Sequence, residues 1–377
     1  MRTTIKKRLV LIVAFLALTL PVGACVLVMG VTYAAVNIWP SVGAASVDRL
    51  RGIFGDQAVA QFEDLVLNTQ DGAKRFAYQL DKNGTKVGWG SGAAPTVVAE
   101  DWMPPQATVL GGKKDEAVWQ PFINAGGRVL AYRTFLAPDP LRPYAYAAII
   151  AFDVQHTRLH FLLGTEEPKS DIPVIRTGHI PANDRQAGRL LAAFNGGFKA
   201  EHGHFGVMVN GVVVIPAQAG MGTIGLYDDG TLRLGLLGKD VPLSGHLLAW
   251  RQNGPLIIQD GQINPLTGSS DPKDWGYVVG EQTATYRSAL GLSPDGRTLY
   301  YVVGPDLTLP ALARALEAAG VYQAIQLDIN NYWAHFSSFV PTDNGIEAVP
   351  LLDFMKGVDD QRFLRNYIRD YFYVTTK

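Results

Sequence analysis

Between Leu9 and Trp39 the chain carries no charged side chain, and this run limits its topology more than any other feature. Roughly 20 apolar residues suffice to cross a bilayer as a helix, which bonds its own N–H and C=O groups within the segment. A cleaved signal peptide has an apolar region of only about 7 to 15 residues before a small-residue cleavage site. Here the apolar run continues through Val26-Leu27-Val28-Met29, so an uncleaved signal anchor is expected over 9–39. The residues before it, 1–8, hold Arg2, Lys6, Lys7 and Arg8, and such a basic flank stays on the cytoplasmic side. Everything after about Pro40 is then expected outside the cell membrane, on a single-pass protein. Lipidation at Cys25, in Val22-Gly23-Ala24-Cys25, is the alternative fate of this end.

Cys25 is the sole cysteine of the chain, so the exported part has no disulfide and must be stabilised by core burial. With 377 residues, 47% hydrophobic and 18% charged, it can build a sizeable core. Lys and Arg number 33 against 34 Asp and Glu; without the four basic residues at the N-terminus, 29 face 34. A mildly acidic remainder gives no surface for nucleic acid.

Residues 40–106 read as a juxtamembrane helix, a hairpin and a linker. Leu50, Ile53, Phe54, Val59, Phe62, Leu65 and Val66 recur at helical spacing, and Asn83-Gly84 in "FAYQLDKNGTKVGW" is a hairpin turn. Pro104-Pro105 closes the linker. Over 107–355, "YAYAAIIAFDV" and "RLHFLLG" read as neighbouring strands, with hairpins around Asp229-Gly230 and Asp295-Gly296. One helix stands out: Thr308 caps it, Pro310 suits its first turn, and Gly320 closes it before a buried strand, Ala324 to Leu327. The last segment, 356–377, places Phe363, Leu364, Tyr367, Ile368 and Tyr371 on one face of a helix packed on the domain. The fold class expected is α+β, a mixed, mostly antiparallel β-sheet domain with a few packed helices, behind one transmembrane helix.

Four segments could carry chemistry. Asn195-Gly196-Gly197 ends an apolar strand, and paired glycines let backbone amides approach a ligand; a plain turn is the simpler reading. Lys199, Glu201, His202 and His204 follow; on a strand the two histidines would share a face and could bind a metal. On a loop they need not, and no metal ligand or cofactor is assigned. "RQNGPLIIQDG", Arg251 to Gly261, is explained by a hairpin. Arg287 enters an apolar strand, either paired structurally or presented to an anion. Finally, Asp328 ends a strand and is followed by Asn330, Asn331, Tyr332, Trp333 and His335, which offer amides, rings and an imidazole of the kind that line carbohydrate pockets.

Taken in order, these segments resemble the phosphodiester glycosidase family, which removes N-acetylglucosamine from its phosphodiester on lysosomal glycans. The likeness covers about residues 117 to 355. "FNGGF" at Phe194 to Phe198 is similar to the family's Asn-Gly-Gly-Phe-Phe, "NGPLII" to its Gly-Pro strand, and "YRSALG" to its Arg-Thr-Ala-(Ile/Leu)-Gly strand. "LTLPALARALEAAGVYQAIQLD" resembles the helix and strand that lead to its Leu-Asp-Gly-Gly-Gly-Ser loop. That loop departs here: Leu327-Asp328-Ile329-Asn330-Asn331-Tyr332 keeps the acid and replaces the glycines.

The resemblance implies cleavage of a glycosyl C1–O bond whose leaving group is a phosphate ester, in a glycan or sugar-1-phosphodiester. Arg287 would anchor the phosphate and Asp328 would act at the anomeric carbon or as general base. Glu201 would be the second carboxylate usual in glycosidases. Asn195, Gly196, Gly197, His204, Asn330, Asn331 and Trp333 would bind substrate. The alternative is a non-catalytic glycan-binding domain that keeps the fold and has lost the reaction. The two readings part cleanly: Asp328→Asn abolishes release of free sugar under the first, while under the second binding survives Asp328→Asn and weakens in Trp333→Ala.

Overall fold

The computed structural model describes residues 49–81, 86–90, 101–268, 275, 282–343, 345–357 and 359–377. The chain divides into two compact units, Met1–Val59 and Ala60–Lys377. The expected signal anchor at 9–39 lies outside the described residues, among which no helix is long and apolar enough to cross a membrane.

Helix α1 runs Asp56–Leu80. It is followed by β1 (Gln120–Ala125), β2 (Arg128–Leu136), β3 (Ala147–Asp153) and β4 (Thr157–Leu162). Then come β5 (Leu190–Asn195), β6 (Val207–Val209), β7 (Val212–Ile215), β8 (Gly222–Tyr227), β9 (Leu232–Leu236) and β10 (Leu247–Gln252). β11 (Leu256–Gln259), β12 (Gln262–Ile263), β13 (Thr285–Leu292) and β14 (Thr298–Leu307) precede helix α2 (Leu309–Ala318). β15 (Gln323–Gln326), β16 (Phe336–Thr342), β17 (Gly345–Pro350) and β18 (Tyr371–Thr376) complete the order.

Three sheets result: β1-β2-β3-β14-β13-β15-β11-β12, β7-β6-β10-β8-β9 and β17-β16-β5-β18-β4. The expected mostly antiparallel pairing is borne out: the ladders between these strands are all antiparallel, so no parallel pair makes these sheets mixed. The α+β class holds, with antiparallel sheets and few helices. The hairpins at Asp229-Gly230 and Asp295-Gly296 form as β8–β9 and β13–β14. α2 also forms as read: Thr308 Oγ1 accepts from the Ala311 amide at 3.2 Å, and Gly320 takes φ +79° past the end.

β3 is buried along its whole length, and its alternation divides two cores. Ala148, Ile150 and Phe152 join the core shared with Phe194, Phe336 and Phe372, whereas Ala147, Ile149 and Ala151 join the core under α2. α2 is apolar on most of its surface, burying Leu309, Ala311, Leu312, Ala313, Ala315 and Leu316, because one side of the eight-stranded sheet closes around it.

Three expectations are corrected. Phe76 to Leu80 is the last turn and a half of α1, not a strand; the alternation F-A-Y-Q-L is short, and Ala77 and Leu80 are good helix formers. β3 and β4 are strands but not neighbours: β3 pairs with β2 and β14, while β4 crosses into another sheet and pairs with β18. The C-terminal segment is not a helix. After a 3₁₀ turn at Arg362–Leu364 it forms β18, set between β5 and β4, and the aromatic and β-branched residues of Tyr371-Phe372-Tyr373-Val374-Thr375 suit a buried strand.

α1 is fastened by charge. Asp71, buried, accepts from Arg142 Nε and Nη2 at 2.7 Å each and from the Tyr144 hydroxyl at 3.0 Å; Arg142 Nη1 also reaches Asp139 at 2.9 Å. Burial raises the pKa of Asp71, but the fork of Arg142 outweighs it and holds the carboxyl below its usual range. A lowered folded pKa stabilises above the unfolded value and is lost as pH falls through the folded one. Asp71→Ala should cost about 3–5 kcal/mol by leaving Arg142 buried with less compensation. Hydrogen exchange over residues 60–80 should accelerate in that variant at neutral pH and in the wild type only in acid; unchanged protection in Asp71→Ala would contradict this docking.

Candidate active site

All three sheets deliver chain ends to one place. β5 ends in Asn195-Gly196-Gly197, β15 runs into Leu327-Asp328, β10 presents Arg251, and Arg369-Asp370 directly precede β18. The Asp328 amide donates to the Gly196 carbonyl at 2.9 Å, joining the strand ends from two sheets. Tyr371 stands opposite Asn195 in the β18–β5 ladder, which sets Asp370 against the glycine turn.

The turn is shaped by what lies under it. A Cβ on Gly196 would come within 2.8 Å of the Asp370 carboxyl, and one on Gly197 within 2.7 Å of Arg251 Nη2 and Asn253 Oδ1. The glycines therefore admit a buried ion pair: Arg251 Nε donates to Asp370 Oδ2 at 2.8 Å, each side chain 1% exposed. The remaining guanidinium N–H groups of Arg251 donate to the carbonyls of Phe205, Gln252 and Phe198 at 3.2, 2.7 and 2.6 Å. The turn amides have protein acceptors as well: Gly196 N on Asp370 O at 3.1 Å, Gly197 N on Asp370 Oδ2 at 3.4 Å, and Phe198 N on Asn253 Oδ1 at 2.9 Å.

Asn195 is a framework residue. Its Oδ1 accepts from the Tyr301 hydroxyl at 2.8 Å and the His335 amide at 3.2 Å. Its Nδ2 donates to Ser288 Oγ at 3.0 Å, and Ser288 in turn donates to the Asp328 carbonyl at 2.6 Å.

Asp328 is 7% exposed, ion-paired to Arg369 Nη2, and accepts its neighbour's amide, Ile329 N, at 2.9 Å. Its carboxyl is pushed up to about 6, first by burial and further by the charge of Asp370; Arg369, the Ile329 amide and Lys199 pull the other way without cancelling the rise. Arg369 itself stays cationic: burial lowers its pKa, but Asp328 and Asp370 together raise it more. Its guanidinium lies 4.7 Å over the Trp333 ring and donates to the Gly197 carbonyl at 3.2 Å, while its Nε is buried with no hydrogen-bond partner. Asp370 Oδ1 is likewise buried and unpartnered. Two unsatisfied polar atoms on adjacent buried charges are costly unless water or a ligand answers them.

The structure thus brings Asp328, Asn195, Gly196, Gly197 and Trp333 together. Arg287 is turned elsewhere: it is 2% exposed and donates to the carbonyls of Leu307 at 2.9 Å and Thr283 at 3.1 Å. Glu201 is exposed and pairs with Lys199 at 3.5 Å and Lys169 at 4.0 Å, and the carboxylate placed beside Asp328 is Asp370. His202 and His204 lie on a turn and the loop after it, not a strand; His204 is exposed at φ +50°. Among the described residues no group of three or more His, Cys, Asp or Glu could hold a metal.

The loop after Asp328 contains one left-handed residue. Asn330 takes φ +97°, a conformation that favours glycine and that asparagine tolerates, and its Oδ1 accepts from the Tyr332 amide at 2.8 Å. Asn331 is half-buried. Ile329 turns inward onto Phe198 and Phe205, with Leu67 of α1 and Met221 against the same cluster.

This is an antiparallel-sheet domain built around a buried, protonatable carboxylate at a strand end, beside an Asn-Gly-Gly turn. Residues 188–328 match the model of the phosphodiester glycosidase family (NAGPA), a segment that starts just before β5 and closes on Asp328. The resemblance to that family is borne out over this segment. Among solved structures, the catalytic domain of zebrafish N-acetylglucosamine-1-phosphodiester alpha-N-acetylglucosaminidase, auto-inhibited by its pro-peptide, is 14% identical, with 78% of this chain and 96% of that one covered at a TM-score of 0.41. A hypothetical protein from Synechocystis is 11% identical over 68% of this chain and 64% of its own, at a TM-score of 0.36. No curated protein matches the chain.

Arg251, Arg369 and Asp370 escaped the sequence reading of the site. The available signal was charge inside apolar strand-like runs, "LLAWRQ" and "YIRDYFYV". A carbon-13 titration of the Asp328 carboxyl should show a midpoint near 6, falling towards the ordinary carboxylate range in Asp370→Asn as the nearby negative charge is removed; an ordinary midpoint in the wild type would remove Asp328 from consideration as a base.

Proposed function

We propose that the chain is a membrane-anchored, extracytoplasmic phosphodiester glycosidase-like hydrolase acting on a sugar-1-phosphodiester or an envelope glycan that carries one. The observation that carries this reading is the buried Asp328 carboxyl, raised to about 6 and paired with Arg369, at the end of the segment that matches the family. Near neutral pH such a group is mostly ionised and able to take a proton, as a general base requires.

In the reaction proposed, a water oxygen bonds to C1 of the sugar as the C1–O bond breaks. The bonding pair leaves with the phosphate, and Asp328 takes the water's proton. The products are the free sugar and a phosphate monoester. A phosphate leaving group needs little protonation, so holding its charge does much of the work. Arg369 replaces Arg287 in that role: it lies on Asp328, its Nε is unpartnered, and Trp333 supports its plane. Lys199, whose charge also acts on Asp328, is the second cation. The uncharged run 9–39 supports the anchor.

Ile329 favours a second reading. It fills the space next to the Asn-Gly-Gly-Phe turn with a buried side chain, and the turn amides already have acceptors, as in a domain that binds glycan without turning it over.

Purified full chain in detergent should release free sugar from a sugar-1-phosphodiester, with the rate rising with pH through about 6 as Asp328 deprotonates. Asp328→Asn should lower kcat by about 100-fold or more. Arg369→Lys keeps the charge and loses the planar fork, so it should raise KM. Absence of turnover across a broad diester panel, with saccharide binding retained, would establish the second reading instead.

A further inference from the structure

A cleft of about 370 Å³, separate from the Asp328 group, opens beside β1 and β2. That volume lies within the range of small-molecule sites, about 300–1,000 Å³. It is lined by Lys86, Trp89, Lys114, Val118, Thr134 and Phe135, among others. We propose that this cleft binds an acidic saccharide unit, with Trp89 under the sugar ring and Lys86 and Lys114 on its anionic group.

Three observations point to a ligand. First, Trp89 is braced on a rigid wall: the Arg133 guanidinium lies 4.7 Å over its ring and 5.1 Å over that of Phe122, Trp89 bridges to Leu352, and the Asp353 amide donates to the Gly88 carbonyl at 2.8 Å. A half-buried indole held in this way offers a fixed apolar surface to the C–H face of a pyranose at little entropic cost. Second, Thr134 is 2% exposed and lines the cleft, yet its hydroxyl is buried with no hydrogen-bond partner, a group that a sugar hydroxyl would satisfy. Third, the cleft's charge is positive. Lys86 and Lys114 are exposed and form no ion pair within the described residues, against the single acid Asp115. Glu116, next in sequence, turns inward to accept from the amides of Leu110, Gly111, Lys113 and Ala137.

The proposal stands apart from the hydrolytic reading, and its test uses probes that carry no glycosyl C1 phosphodiester. Full chain in detergent is titrated with glucose 6-phosphate, glucuronate, glucose and inorganic phosphate, followed by calorimetry and tryptophan fluorescence. Both acidic sugars should bind better than glucose or phosphate. Lys86→Ala with Lys114→Ala, two exposed sites where folding is not at risk, should weaken them about five- to tenfold. Thr134→Val, close in shape, should weaken them about two- to threefold. Failure of either acidic sugar to bind, equal binding of inorganic phosphate, or an unaltered affinity in the double lysine variant would each overturn the proposal.

Discussion

The buried alternation of charge Arg251, Asp370, Arg369 and Asp328 is the interaction on which the rest depends. Each group lies in a strand or within two residues of one, and together they draw on all three sheets. Burying such charges is expensive, and removing one leaves a partner uncompensated at a cost of about 3–5 kcal/mol. The geometry that avoids that cost is tight. It needs Gly196 and Gly197, because any side chain there would collide with the Asp370 carboxyl or the Arg251 guanidinium. The Asn-Gly-Gly turn thus serves charge burial as much as any ligand. Burial in the same place raises the pKa of Asp328, and the nearby Asp370 carboxylate adds to the rise.

The loop after Asp328 bends sharply without a glycine. Asn330 occupies a left-handed conformation and closes the turn on the Tyr332 amide, so the chain still bends as a glycine would allow. Ile329 forms an apolar plug on Phe198 and Phe205, with Leu67 of α1 packed against the same cluster. α1 is tied to the domain by Asp71 on Arg142, Lys74 on Asp306 and Asp64 on Thr283, and also by Leu67 on the loop of the candidate site.

Local signals in the sequence carried part of the fold. The capped helix α2, the hairpins at Asp229-Gly230 and Asp295-Gly296 and the strand before Asp328 follow from turn chemistry and periodicity acting over a few residues. What failed was decided by distant partners. Tyr371 to Thr376 is a strand because β5 and β4 lie on either side of it, and no local rule supplies them. β4 leaves the sheet of β3 for the same reason. At the site, Asp328 and the Asn-Gly-Gly turn were legible as strand ends bearing unusual residues. Arg369 and Asp370 were not, because nothing local shows that residues 172 and 173 positions away meet at Gly197. Arg287, 2% exposed in its strand, donates to the backbone carbonyls of Leu307 and Thr283, a placement that no local rule specifies.

In the proposed function Arg369 and Asp328 form the working face of this site. A crystal structure of the full chain with a bound sugar-1-phosphate tests it most directly. Phosphate oxygens are expected within hydrogen-bond distance of Arg369, with the anomeric carbon beside the Asp328 carboxyl. Phosphate bound instead at Arg287, or a ligand-free site in which the Arg369–Asp328 pair stays closed under Ile329, would contradict it.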